Sequence, residues 1–144
     1  MLKFIPPLLG PDLLATLRAM GHGDEIVIVD ANFPAEFLGP KVHRVDGILA
    51  TDMLDAVLTL MPLDDFVDQA AIGMAVVGDP DLRQPIYELF EDIILHHEPA
   101  MGFSTIERFA FYDRAKKAAA VIQTGEGRLY GNIILKKGII RPNS

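Results

Sequence analysis

Three short polar segments of the sequence carry the side chains best suited to chemistry. The first, residues 21–25, places His22 between two glycines. The second begins with Asp30, directly after a run of β-branched residues, and the third contains Tyr130 and Asn132. An imidazole titrates near neutral pH and suits acid–base work, whereas carboxyl, phenol and amide groups suit hydrogen bonds to uncharged ligands. These residue types indicate a metal-free site for a polar, neutral ligand.

Each of these side chains also has a purely structural interpretation. A histidine in a glycine-rich turn is often solvated, an Asp after a strand often caps the next turn, and Tyr130 and Asn132 fit a hairpin. The third segment also contains Gly125-Glu126-Gly127-Arg128. It lacks both the Gly-Lys-Ser/Thr of a Walker loop and the GxGxxG fingerprint, so we do not expect it to bind phosphate. The residues alone leave the structural and functional interpretations open.

Other polar clusters are weaker candidates. Glu88, Asp92 and His96 share one face of a predicted helix, which we interpret as a solvated face rather than a metal site. The acidic cluster at residues 64–68 is interpreted as a turn and a solubilising surface. His43 fits an edge strand.

Composition narrows the class of protein. The chain has 144 residues, half of them apolar, with 13 basic and 20 acidic residues and a net charge of −7. An acidic chain has no bulk attraction for phosphate backbones or anionic lipid, so we expect no nucleic-acid or membrane partner. It has no cysteine, which excludes disulfides, thiolate nucleophiles and Cys-ligated metals. These features favour a soluble, cytoplasmic protein.

Helical and strand patterns alternate along the whole chain. This alternation predicts a single α/β domain over residues 1–144, with a mostly parallel sheet flanked by helices. A proline starts the first helix, and Gly21 is expected to end it in a left-handed conformation. The predicted helices are 11–20, 50–61, 86–97 and 109–119, and the predicted strands are 26–29, 70–77, 103–107, 121–124 and 133–136.

The polar segments together resemble the RbsD/FucU sugar mutarotase family. The resemblance runs from about Lys3 to Gly138 and is carried by Met20-Gly21-His22-Gly23-Asp24-Glu25, Asp30-Ala31-Asn32-Phe33-Pro34-Ala35 and Tyr130-Gly131-Asn132-Ile133-Ile134-Leu135. Within the family the chain is similar to the FucU branch, through Gly39-Pro40, Arg44-Val45-Asp46-Gly47 and Arg108-Phe109-Ala110-Phe111-Tyr112.

This resemblance implies a ring-forming enzyme without a cofactor that interconverts the α and β anomers of a monosaccharide, with L-fucose as the expected sugar. It implies that His22 is the general acid/base and that Asp30, Arg108, Tyr130 and Asn132 bind the sugar. It also implies cyclic homo-oligomers, commonly decamers. A ribose pyranase of the RbsD type, a non-catalytic sugar-binding protein and a purely structural ring protein are the alternatives.

The spacing of His22 and Asp30 raises a geometric problem. If residues 26–29 form a strand that rises ~3.3 Å per residue, the two side chains lie roughly 15–20 Å apart at its opposite ends. One small sugar cannot contact both within one subunit unless the loop before the strand folds back. We therefore expect sites between subunits, with His22 and Asp30 supplied by different copies. Whether Glu126 and Tyr112 reach the ligand is left open.

Overall fold

The mostly parallel sheet flanked by helices is confirmed by a computed structural model, which describes residues 1–143. The strands are β1 (Glu25–Val29), β2 (Lys41–Val45), β3 (Ala71–Met74), β4 (Ser104–Ile106), β5 (Ala120–Thr124) and β6 (Ile133–Lys136), and the helices are α1 (Pro11–Ala19), α2 (Ala50–Leu60), α3 (Pro85–His97) and α4 (Arg108–Ala115). The strand order is β2-β5-β1-β6-β3-β4. Strand β6 runs antiparallel to both neighbours, and the other pairs are parallel.

Strand β1 is buried on both faces, as its run of β-branched residues predicts. Ile26 and Ile28 pack into the hydrophobic cluster beneath α1, α2 and α3, whereas Val27 and Val29 face the cluster that contains α4 and Phe33. These four side chains have zero exposure. Burying each of them stabilises the fold by about 1.5–3 kcal/mol. The strand that leads to Asp30 is therefore held from both sides.

The ends of the helices follow local sequence signals, with one exception. Helices α1 and α3 both begin with proline, whose missing N–H has no partner to lose in the first turn. The prediction that Gly21 ends α1 in a left-handed conformation is wrong. Met20 ends the helix in an extended conformation, and the left-handed residue is Gly23, with φ of 89°.

Three elements differ from the sequence prediction. Strand β3 ends at Met74 because the chain turns at residues 76–79, and α4 ends at Ala115 because tighter turns lead into β5. The predicted pattern also missed β2 as a full strand, although His43 does lie on this edge strand. No helix within residues 1–143 is both long enough and apolar enough to cross a membrane.

Candidate active site

A cleft of about 300 Å³ lies at the carboxyl end of β1. All four predicted sugar-binding residues line it: Asp30, Arg108, Tyr130 and Asn132. Asn32 also lines it, and the other residues of its walls are apolar or aromatic, namely Phe33, Pro34, Met74, Val77, Tyr112 and Leu129. A few polar groups on largely apolar walls are typical of sites that bind one small molecule.

The sheet topology explains how distant residues meet at this cleft. Asp30 directly follows β1, and Asn132 directly precedes β6, which runs antiparallel beside it. The end of one strand therefore adjoins the start of the other. Arg108 is the first residue of α4, which follows β4 at the same edge of the sheet. The family resemblance predicted that these residues bind the sugar, and the antiparallel pairing of β6 explains how they come together.

The Asp30 backbone and carboxyl are fixed by hydrogen bonds on several sides. The Asp30 amide donates to Asn132 Oδ1 at 2.9 Å, and Gln123 Nε2 donates to the Asp30 carbonyl at 2.5 Å. The Asn32 amide donates to Asp30 Oδ1 at 3.0 Å. Gln123, which sequence reasoning missed, thus supports the site from the end of β5.

Burial controls the charge on Asp30. The residue is only 6% exposed, and desolvation raises the pKa of its carboxyl above the usual value, although hydrogen bonds from Asn32, Gly131, Asn132 and Phe33 oppose this rise. Its carboxyl therefore binds a proton more tightly than an exposed aspartate.

Tyr130 has an unusual backbone conformation. Its φ is 61°, in the left-handed region that costs a non-glycine residue on the order of 1–3 kcal/mol. The ring packs against both hydrophobic clusters, and the Val77 amide donates to the phenol oxygen at 3.0 Å. Because that oxygen accepts from the backbone, its own hydrogen is directed elsewhere and can be donated to a ligand.

Arg108 presents available donors to the cleft. Its guanidinium carbon lies over the Phe109 ring, 4.6 Å from the ring centre, in a cation–π contact. Within residues 1–143, the Arg108 Nε is buried without a hydrogen-bond partner. The same side chain borders a neighbouring cleft of about 400 Å³, lined by residues of the β3–α3 and β4–α4 connections. A ligand with several hydroxyl groups would satisfy such donors.

His22 lies at the opposite end of β1, in the loop that precedes the strand. Its Nε2 is 2.9 Å from Asp64 Oδ1, and the edge of the Phe66 ring packs at 4.8 Å between centroids. The structure thus gathers four of the predicted residues in one cleft and keeps His22 away from them, with the whole of β1 between.

The partner of His22 corrects one sequence interpretation. Asp64 is 4% exposed and does not belong to a solubilising surface. Its Oδ1 also accepts from the Phe66 amide at 3.0 Å, and the hydrogen bond from His22 lowers the pKa of the Asp64 carboxyl. The next residue, Asp65, does lie at the surface, where it pairs with Arg141. No local pattern predicts the pair, because 42 residues separate its members.

The remaining candidates are placed as follows. Tyr112 lines the cleft, whereas Glu126 is 1% exposed and accepts from Arg128 and the Ala50 amide. Glu88 pairs with Arg83 on the outer face of α3. Within residues 1–143 there is no group of three or more His, Cys, Asp or Glu side chains that could hold a metal ion.

Comparison with known proteins adds independent findings. Residues 3–140 match the model of the RbsD / FucU transport protein family. The chain is 48% identical to the fucose mutarotase of Mus musculus, covering 96% of this chain and 95% of that one, and 46% identical to that of Homo sapiens, covering 99% and 96%.

A solved structure is also similar over nearly the full length. The fucose mutarotase of Streptococcus pneumoniae in complex with L-fucose superimposes with a TM-score of 0.89 at 44% identity, covering 97% of this chain and 100% of that one. The extent of these matches confirms the resemblance seen in the polar segments. The chain belongs to the RbsD/FucU family.

Proposed function

We propose that the protein is an isomerase that interconverts the α and β anomers of L-fucose. The observation that carries this proposal is the convergence of Asp30, Arg108, Tyr130 and Asn132 on one cleft of about 300 Å³. Relatives that are nearly half identical are fucose mutarotases, and one was solved with L-fucose bound. The carboxyl, guanidinium, phenol and amide groups match the hydroxyls of a monosaccharide, and the apolar walls match its C–H faces.

Anomer exchange passes through the open-chain aldehyde. His22, as imidazolium, gives a proton to the ring oxygen while the bond from that oxygen to C1 breaks. The anomeric hydroxyl loses its proton to solvent water, and its electron pair completes the carbonyl. After rotation about the C1–C2 bond, the same transfers in reverse close the ring on the other face. The only catalytic group that these reaction steps need is one that titrates near neutral pH.

A complete site requires a second copy of the chain. His22 and Asp30 lie at opposite ends of β1, so one sugar cannot contact both in one subunit. Large apolar side chains are exposed near both half-sites: Phe66 beside His22, and Phe109 and Leu129 beside the cleft. Covering these side chains by a neighbouring subunit would remove apolar surface from water and would bring His22 of one copy to the cleft of the next. A cyclic homo-oligomer repeats this contact around a ring.

The first test is NMR exchange spectroscopy on equilibrated L-fucose, which follows magnetisation transfer between the two anomeric protons. We expect the wild type to accelerate exchange and His22→Ala to abolish the acceleration. D-ribose serves as the comparison sugar, since preference for it would indicate a pyranase. Binding of L-fucose without any acceleration, by protein shown to be folded and assembled, would refute the enzyme and favour a sugar-binding protein.

The second test addresses the shared site. His22→Ala and Asp30→Ala each remove one half of it, so each protein alone should be inactive. Co-assembled rings contain contacts in which an intact His22 meets an intact Asp30, and these should recover part of the activity. Mass spectrometry of the intact assembly confirms mixing. Mixed rings that stay inactive would contradict sites between subunits. The proposal includes a cytoplasmic location, which cell fractionation tests.

A further inference from the structure

We propose that Glu126 is a positioning residue for Tyr130. Its buried carboxylate holds the loop between β5 and β6 in the shape that turns the Tyr130 phenol toward the sugar. This inference rests on the proposed function, because it assigns a supporting residue to the same cleft. Glu126 does not line that cleft and acts only through the loop that carries Tyr130.

The Glu126 carboxylate accepts four hydrogen bonds inside the protein. Oε1 accepts from the Ala50 amide at 3.2 Å and from Arg128 Nη2 at 2.8 Å. Oε2 accepts from the Arg128 amide at 3.1 Å and from Arg128 Nε at 2.9 Å. Every one of these partners is a donor, so only an ionised carboxylate satisfies all four. The hydrogen bonds from Arg128 keep the pKa of the Glu126 carboxyl below its usual value, although desolvation opposes them.

These contacts attach the loop to two fixed parts of the fold. Ala50 is the first residue of α2, and Arg128 Nη2 also donates to Thr51 Oγ1 in the same helix at 3.1 Å. On the other side, the Ala31 amide donates to the Glu126 carbonyl oxygen at 2.9 Å. The side chain of Glu126 thus joins the loop to α2, while its backbone joins the loop to the segment that follows β1. Such attachment supplies the precision that a binding side chain needs from the residues around it.

The backbone of Tyr130 requires support of this kind. Its φ of 61° is a left-handed conformation, which a non-glycine residue keeps only where the surrounding structure imposes it. Gly131 follows Tyr130, and a Cβ on Gly131 would lie 2.8 Å from Glu126 Cγ. The Glu126 side chain therefore packs directly against the backbone next to Tyr130. By holding that backbone, Glu126 determines where the phenol points.

Capping of α2 is the competing explanation. Leu49 precedes the helix and offers no side-chain acceptor to its first turn, so Glu126 supplies one to the Ala50 amide from another part of the chain. If Glu126 served only α2, its loss would reduce the amount of active protein, which lowers kcat at an unchanged KM. If Glu126 positions Tyr130, its loss weakens sugar binding, which raises KM at a nearly unchanged kcat. The two explanations therefore differ in a measurable way.

The kinetic test compares Glu126→Gln with Glu88→Gln, using anomer exchange rates at increasing L-fucose concentration. Glu126→Gln keeps the shape of the side chain but turns amide hydrogens toward the N–H donors of Ala50 or Arg128. We expect it to raise the KM for L-fucose at least about fivefold, with kcat close to wild type. Glu88→Gln removes an exposed carboxylate–arginine contact on α3 and should keep both constants. A lower kcat with an unchanged KM in Glu126→Gln would overturn the positioning role.

Two further variants connect the effect to Tyr130. In the Tyr130→Phe background, Glu126→Gln should raise the KM by a smaller factor than in the wild type, because the hydroxyl that Glu126 positions is already absent. Arg128→Met removes the main partner of the carboxylate at a side chain that is 40% exposed. It should also raise the KM, so it tests the proposal even where Glu126→Gln does not fold. An equal factor in the Tyr130→Phe background, or an unchanged KM in Arg128→Met, would contradict the inference.

A second readout needs neither sugar nor turnover. Protein labelled with ¹³C at the tyrosine Cζ gives one NMR signal for each of the three tyrosines, and Tyr130→Phe identifies the signal of Tyr130. We expect Glu126→Gln to shift or broaden this signal and Glu88→Gln to leave it in place. A Tyr130 signal that is the same in Glu126→Gln and the wild type would overturn the inference. If the wild type fails to accelerate anomer exchange, the proposed function fails instead, and the tyrosine signal still reports whether Glu126 positions Tyr130.

Discussion

The hydrogen bond from the Asp30 amide to Asn132 Oδ1 allows the sharpest prediction for the cleft. The bond is 2.9 Å long and buried, and Asn132 itself is 4% exposed. In Asn132→Ala, the Asp30 N–H stays buried without an acceptor, which costs about 1–3 kcal/mol of folding free energy. For a chain of this size each kcal/mol lowers the Tm by about 2–4 °C, so we expect a decrease of about 2–12 °C.

The assay is thermal unfolding at one fixed protein concentration, because assembly makes the Tm concentration-dependent. Asn132→Asp is the control, since it keeps an oxygen acceptor in the same place. At pH 7 it also puts a second carboxyl beside Asp30, so its Tm should rise relative to wild type as the pH is lowered and the carboxyls are protonated. Asn132→Ala should show no such recovery. An Asn132→Ala protein that melts with the wild type would refute the claim that this acceptor satisfies a buried donor.

Two further predictions concern charge and packing near the cleft. Because burial raises the pKa of Asp30 in the folded state, folding takes up protons between the unfolded and folded pKa, and stability falls as the pH rises through that window. Asp30→Asn should therefore lose less stability than the wild type over the same rise in pH, as measured by urea titration. Equal losses in the two proteins would contradict this prediction. A Cβ on Gly125 would lie 1.8 Å from the Asp46 carbonyl oxygen, whereas nothing lies within 4 Å of one on Gly127. Gly125→Ala should lower the free energy of unfolding, measured by urea titration, by more than about 1 kcal/mol. Gly127→Ala should unfold at nearly the same urea concentration as the wild type.

The buried parallel strands were predictable because their sequences are unambiguous. The β-branched run of β1 has no polar alternation, and a strand with two buried faces requires such a run. Edge strand β2 was only hinted at by His43, because its side chains are partly exposed and its sequence shows no uniform apolar run. The ends of β3 and α4 depend on where the chain turns, which local propensity determines poorly.

The residues of the candidate site also divide into those that the sequence predicted and one that it did not. The roles assigned to His22, Asp30, Arg108, Tyr130 and Asn132 came from motifs that resemble a family, and the separation of His22 from Asp30 came from the length of one strand. Asp64 could not be found by either route. Its burial depends on a bridge between Leu63 and Lys137, and such long-range pairing leaves no periodic trace in the sequence. An acidic cluster thus contained both a surface residue and a buried one.

Strand β6 has a consequence for how the molecule folds. It is the last strand in the chain, yet it lies in the middle of the sheet, between β1 and β3. Until β6 inserts, the sheet is in two parts, one made of β2, β5 and β1 and the other of β3 and β4. The edge of each part that will pair with β6 is then unprotected and faces the solvent. Asn132 directly precedes β6, and the residues at the end of the strand hold the loops of His22 and Asp64. A chain in which β6 has not yet inserted therefore has neither half of the candidate site in order, and both halves form in the step that closes the sheet.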